Sequence, residues 1–209
     1  MTSPAPAHPT KTAPTHLRVV PPEGVDLAAA ERAAADLLTA FGLDLASETL
    51  SGTPARMVRG LAELLTPREF TLTTFPNDDG YDELVVARRI PFVSVCEHHL
   101  LPFTGTASVG YLPGARILGL SKLARVVELF ARRPQVQERM TTQIANWLDE
   151  HLEPRGVGVV LEAEHSCMTL RGVGARGSTT ATSALLGLVR TDARTRSEFL
   201  SLAKDGLTA

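Results

Sequence analysis

The sequence predicts an α+β fold with helices packed on one face of an antiparallel sheet. Two strand-like segments, 84–95 and 103–112, precede two helical ones, and strand-like chain returns from Gly156 onward. The hydrophobic period changes accordingly, from two in the strands to about 3.6 in the helices. A hydrophobic fraction of 44% in 209 residues suffices for one core with an appendage.

Taken in order, residues 1–23 are rich in Pro, Thr and Ala and are expected to be disordered. They lack a continuous apolar run after a basic start, so no secretory leader is expected. His8 and His16 fall in this tail and take no role. Residues 26–41 form an alanine-rich helix with Asp26 as N-cap and Gly42 past its end. Thr53-Pro54 opens a second helix to about Leu65, since proline is tolerated in a first turn. Met57, Leu61 and Leu64 share one face of it, and Arg56 and Arg59 another. Residues 66–82 look turn-rich, with Asn77-Asp78-Asp79-Gly80 marking a break.

In the second strand, Phe103, Gly105, Ala107, Val109 and Tyr111 alternate onto one face before Pro113-Gly114 ends it. Ser121 is a candidate N-cap for a helix whose core stripe is Leu123, Val126, Val127 and Phe130. The next helix starts near Pro134, buries Val136, Met140, Ile144 and Leu148, and ends by about Leu152. Strands at 156–165 and 166–173 follow, then a Thr/Ser-rich strand to Val189 and a C-terminal helix at 193–204. The expected organisation is a tail at 1–23, an N-terminal helical region at 24–83 and a principal domain at 84–209.

The chemistry concentrates at the two cysteines. Cys96 lies in Val-Cys-Glu-His-His and Cys167 in His-Ser-Cys, so three of the six histidines flank the chain's only thiols. Thiolate with imidazole is a donor set for a borderline-soft divalent cation, zinc foremost. Three ligands from two distant clusters leave a fourth position open for water, as catalytic zinc sites do. A disulfide is the competing explanation, but it suits secreted proteins. A turn after the first strand would return residue i+3 towards residue i and favour Cys96 with His99, although spacing alone leaves His98 open as well. If 166–173 is extended, His165, Cys167, Thr169 and Arg171 share a side. The remaining histidines would then sit beside the metal, free to move protons.

Arg56, Arg59, Lys122, Arg125 and Arg171 are distributed over several elements and could build a polyanion pocket, because guanidinium groups match phosphate oxygens. Glu138, preceded by Gln137, lies in a first helical turn, where it favours the helix dipole or could accept two N–H groups of a base. Gly172 to Gly177 matches G-x-G-x-x-G, yet a β-branched stretch follows where a dinucleotide fold needs a helix, so that match is a decoy. A net charge of −2 argues against nucleic-acid binding, and no apolar stretch is long enough to span a membrane. Reduced thiols fit the cytoplasm.

These residues resemble the zinc-dependent GTP cyclohydrolase I family. The likeness is carried by Ser-Val-Cys-Glu-His-His-Leu-Leu-Pro-Phe (94–103), Gly-Leu-Ser-Lys-Leu-Ala-Arg (119–125), Arg-Pro-Gln-Val-Gln-Glu-Arg (133–139) and His-Ser-Cys-Met-Thr-Leu-Arg-Gly (165–172). A weaker echo stands at 53–59, and the likeness spans about residues 26–203. It implies the tunnelling fold, an antiparallel four-stranded sheet with two helices on one face, here with an N-terminal helical extension. It implies one zinc per subunit on Cys96, His99 and Cys167, with His98, His165 and Ser121 in proton transfer. Gln137 and Glu138 would bind guanine, and Arg56, Arg59, Lys122, Arg125 and Arg171 the triphosphate. The implied reaction converts GTP to 7,8-dihydroneopterin triphosphate and formate, opening pterin and tetrahydrofolate biosynthesis. The implied assembly is a toroidal homodecamer with pockets between subunits.

Ala55 replaces a basic residue common in Thr-Pro-x-Arg, and Phe92-Val93-Ser94 lacks the tyrosine or histidine common just before the cysteine motif. Two other classes compete. A noncatalytic zinc-stabilised nucleotide-binding subunit would enclose the ion with four protein ligands. A zinc nucleotide deaminase would require a Pro-Cys-x-x-Cys segment, which the sequence lacks.

Overall fold

The computed structural model describes residues 16–19 and 24–204, with side chains from residue 24 onward. In chain order the elements are β1 (His16–Val19), α1 (Leu27–Ala40), α2 (Thr53–Leu65), β2 (Phe70–Pro76), β3 (Val85–Cys96), β4 (Pro102–Leu112) and β5 (Arg116–Leu118). There follow α3 (Ser121–Ala131), β6 (Pro134–Gln135), α4 (Gln137–Leu152), β7 (Gly156–His165), α5 (Ser166–Thr169), β8 (Thr180–Leu186), α6 (Gly187–Thr191) and α7 (Ala193–Lys204).

Strands β3, β4, β7 and β8 pair antiparallel in that order, and two-residue β6 adds a parallel edge to β3. The four long strands with two helices on one face are the tunnelling-fold architecture. Period-two alternation puts Ala107, Val109 and Tyr111 of β4 and Val157, Val159 and Leu161 of β7 on the same face, fully buried with α3 and α4. On α4, Met140, Ile144 and Leu148 are completely buried. Each such side chain stabilises by about 1.5–3 kcal/mol relative to exposure. The cap position Val136 makes no side-chain capping bond, so packing and not capping holds α4 in place.

The opposite face is covered by α7. Gly110 and Gly158 leave the space that the buried Phe199 ring fills: a Cβ on Gly158 would stand 2.5 Å from Phe199 Cε1. Ser108 Oγ donates to the Ala203 carbonyl at 3.2 Å along the same seam.

Asp26 caps α1 as expected, its carboxylate accepting from the Ala29 N–H at 2.9 Å. Gly42 follows with φ 80. Three expectations are corrected. Residues 66–82 contain strand β2, in which Phe70, Leu72 and Thr74 point inward. It pairs with β1 and β5 in a second sheet. Within the tail expected to be disordered, His16–Val19 form β1; the other residues of 1–23 lie outside the described residues. Ser121 is the first helical residue of α3 and not its cap, which is Leu120 without a side-chain bond. The helix is started instead by tight backbone turns, Lys122 N–H to Gly119 O at 2.8 Å and Leu123 N–H to Leu120 O at 3.2 Å.

Candidate metal centre

Two strand ends place the sulfur atoms. β3 finishes at Cys96, and the loop to β4 is closed by Cys96 N–H to Leu101 O and Leu100 N–H to Cys96 O, both 2.8 Å. Leu100 takes φ 52, the left-handed conformation that so tight a loop demands. This folding back puts His99 Nδ1 3.8 Å from Cys96 Sγ. β7 ends at His165, and the helical turn α5 then carries Cys167 Sγ to 3.9 Å from Cys96 Sγ.

The extended segment expected at 166–173 is therefore a helical turn followed by a turn-rich loop. Pairing explains the difference. The β4–β7 register ends at Phe103 with His165, and the β7–β8 register at Ala163 with Thr180. Beyond these points neither register continues, and Leu170 N–H bonds back to Ser166 O at 3.0 Å instead.

The ligand atoms of Cys96, His99 and Cys167 all lie within 4.8 Å of one another. A tetrahedral zinc about 2.3 Å from each sulfur would space two sulfurs by about 3.8 Å, so the group fits that ion. His98 Nδ1 is 4.0 Å from Cys96 Sγ but outside this mutual set. Burial, then the adjacent Cys96 sulfur, pushes the Cys167 thiol up, while the positive charge of Arg171 opposes that shift. A thiol pushed up in this way holds its proton until a cation displaces it, which couples metal uptake at Cys167 to proton release.

His165 sits beside the thiols. Its ring stacks on Phe103, with centroids 4.5 Å apart and planes within 7°, and its Nε2 is 2.7 Å from Gln137 Oε1. Burial pushes the imidazole pKa down, and the Glu138 carboxylate partly restores it. Gln137 is buried, and its amide nitrogen donates to Thr180 O at 2.9 Å and Thr182 Oγ1 at 3.1 Å. Glu138 is exposed in the first turn of α4. A cavity of about 230 Å³ is lined by Cys96, His98, His99, Gln137, Glu138, His165 and Cys167, joining both cysteine clusters to the start of α4.

A supporting strut escaped the sequence reasoning. Glu97 pairs with the Arg139 guanidinium, whose Nε donates to Gln135 Oε1 at 3.2 Å. Buried Gln135 donates onward to Phe130 O at 2.8 Å and Gln143 Oε1 at 2.9 Å, and its carbonyl accepts from Glu97 N–H at 3.0 Å. The Arg139 hydrogen bond holds the Glu97 carboxyl below the usual carboxylate range. Only the proximity of Glu97 to two motif residues hinted at this role. Glu97→Gln is expected to weaken zinc affinity by about 10-fold through a looser ligand loop, as partners of ligating groups commonly do, measured by competition with a chelator.

The predicted cationic residues do not line this cavity. Arg56 Nη2 is bound to Thr49 O at 3.1 Å and Thr53 Oγ1 at 3.0 Å. Arg125 pairs with Glu128 at 3.0 Å, and the same carboxylate meets Arg68 and Arg132. Arg59 is exposed on α2, while Ser121 and Lys122 stand in the first turn of α3. Arg171 is near enough to Cys167 to favour its thiolate.

The profile of the GTP cyclohydrolase I family matches residues 30–204. The chain is 50% identical over 167 residues to GTP cyclohydrolase 1 of Aquifex aeolicus, covering 80% of this chain and 91% of that protein. It is 51% identical over 184 residues to GTP cyclohydrolase 1 of Mycobacteroides abscessus, covering 85% and 89% respectively. With GTP cyclohydrolase 1 of Rhodopirellula baltica the identity is 48% over 187 residues, covering 87% and 81%.

Proposed function

The chain belongs to the GTP cyclohydrolase I family, and we infer from that membership that it hydrolyses and rearranges GTP to 7,8-dihydroneopterin triphosphate and formate. The observation that carries the site assignment is the convergence of Cys96, His99 and Cys167, at zinc-like spacing, on a cavity that Glu138 and His165 also line.

The donor set suits zinc held by those three residues, and a bound zinc would supply Lewis-acid activation of water near neutral pH. Glu138 accepts N–H groups of guanine and sets the base in register with the centre. His165 and His98 move protons at the imidazole portion of the base. A proton delivered to N7 makes C8 more electrophilic, and water adds there before the ring opens. A second hydration releases C8 as formate. Ser121 shuttles a proton in the Amadori-type rearrangement of the ribose, after which the dihydropteridine ring closes. Arg56, Arg59, Lys122, Arg125 and Arg171 hold the unreactive triphosphate, converting remote binding into positioning.

Assembly is part of the proposal. The cavity is smaller than the roughly 300–1,000 Å³ of ordinary small-molecule sites, and most of the cationic residues lie elsewhere. On the loops that carry the two cysteine clusters, Leu100, Leu170 and Val173 are exposed, with Leu170 80% accessible. A toroidal homodecamer, in which neighbouring copies complete each pocket, accounts for all three features. Both cysteines are free thiols, in keeping with a reducing cytoplasm. Among the described residues, no helix is long and apolar enough to cross a membrane.

Zinc-loaded protein incubated with GTP should release formate and a pterin that fluoresces after oxidation. Ammonia or phosphate without formate would reject the assignment. Glu138→Gln removes a charged acceptor worth about 1.5–3 kcal/mol. It is expected to lower kcat/KM for GTP roughly 10- to 150-fold with little change in melting temperature. The proximity of His98 to Cys96 favours one rival, a closed four-ligand structural zinc in a noncatalytic subunit. Chelation separates the two, because a structural ion would take the fold with it and a catalytic one only the activity.

A further inference from the structure

The Gln137 side chain borders the cavity but is anchored in the protein. It is 2% exposed, and its amide nitrogen faces the Thr180 carbonyl, an atom that only accepts. That contact fixes the orientation of the carboxamide: the nitrogen is toward β8, so the atom 2.7 Å from His165 Nε2 is the oxygen. An oxygen there accepts, so His165 Nε2 carries the hydrogen.

A second bond holds the amide still. Thr182 Oγ1 meets the Gln137 nitrogen at 3.1 Å and Thr141 Oγ1 at 2.7 Å, and Thr141 Oγ1 donates to Gln137 O at 2.7 Å. The stacked Phe103 ring fixes the plane of the imidazole. Among the described residues no hydrogen bond engages His165 Nδ1.

We propose that Gln137 is a positioning residue that acts through His165 instead of touching the base: with Phe103 it holds the ring and its Nε2–H tautomer, leaving Nδ1 as the atom that meets the substrate. The proposal rests on the proton-transfer role assigned to His165 above. It divides the Gln137-Glu138 pair, with Glu138 facing the ligand and Gln137 supporting the histidine from behind.

Solid-state NMR of sedimented, zinc-loaded full-length protein labelled with [15N]histidine tests this without any change at Gln137. The His165 signals are assigned by their loss in His165→Asn. The wild type should show a protonated Nε2 and a bare Nδ1; the reverse tautomer would overturn the proposal even if variants at Gln137 fail to fold. Gln137→Met keeps the side-chain length and removes the acceptor. It should mix the tautomers and lower kcat by about 10- to 100-fold. Zinc content should be unchanged and KM for GTP should stay within about threefold. A raised KM with kcat intact would mean that Gln137 binds the base after all, and would sink the idea. Full turnover in His165→Asn would remove the underlying proton-transfer role. That failure is distinct from a slow His165→Asn beside a fast Gln137→Met, which would reject the positioning role alone.

Discussion

Replacing Cys167 with serine should lower zinc content and formate release together, each by more than about 100-fold, because even partners of ligating residues commonly change metal affinity 10- to 100-fold. Among the described residues, the sulfur at 3.9 Å from Cys96 Sγ is the only donor that the second half of the chain brings to the group. A serine oxygen is harder, sits on a shorter bond and resists ionisation, whereas the thiolate matches a borderline-soft cation. Burial already pushes the Cys167 thiol up, so a hydroxyl in the same place would stay protonated. The α5 turn is held by the Leu170 N–H to Ser166 O bond, which the substitution leaves intact. Metal analysis, formate quantitation and circular dichroism on one sample check the result. Stoichiometric zinc with wild-type formate release would remove Cys167 from the centre.

His165→Asn should have the second large effect, a loss in kcat of about 10²- to 10⁴-fold with zinc retained, the range expected when a positioned proton-transfer group is removed. The separation follows from geometry. His165 belongs to the cavity but not to the group of mutually close ligand atoms. Asparagine keeps a polar side chain opposite Gln137 Oε1, so the buried amide is less exposed to an unsatisfied partner than it would be beside alanine. Turnover and bound zinc measured side by side decide the matter. A loss of metal in step with activity would make His165 a ligand, and unchanged turnover would leave it a packing residue on Phe103.

Long periodic elements with clear ends were legible in the sequence. The Thr53–Leu65 helix, the Gly156–His165 strand and the Ala193–Lys204 helix have the limits that proline, glycine and apolar spacing indicated. Strands β2 and β5 were not, because each is specified by partners remote in the chain and β5 has only three residues. The alternation of Phe70, Leu72 and Thr74 was the missed signal. The helical turn at Ser166–Thr169 was hidden for a related reason: four residues are too few to show a period, and only the end of pairing on both sides of β7 rules out a continued strand.

At the site, the two cysteine clusters announced their chemistry locally, and the fold brings their atoms together. Gln137 and the Glu97–Arg139 strut are different in kind. Their roles depend on which face of α4 meets β8 and the β3–β4 loop, a tertiary fact that spacing does not encode. The cationic residues lie apart within one chain for another reason, if the pocket is shared between copies: no single sequence shows a neighbour's contribution.

The most direct measurement is zinc K-edge X-ray absorption on the loaded protein, with Cys167→Ser beside it. Two sulfur scatterers at about 2.3 Å, together with nitrogen or oxygen neighbours, are expected in the wild type, and one sulfur in whatever zinc the variant retains. A coordination sphere without sulfur in the wild type would contradict the account at its base.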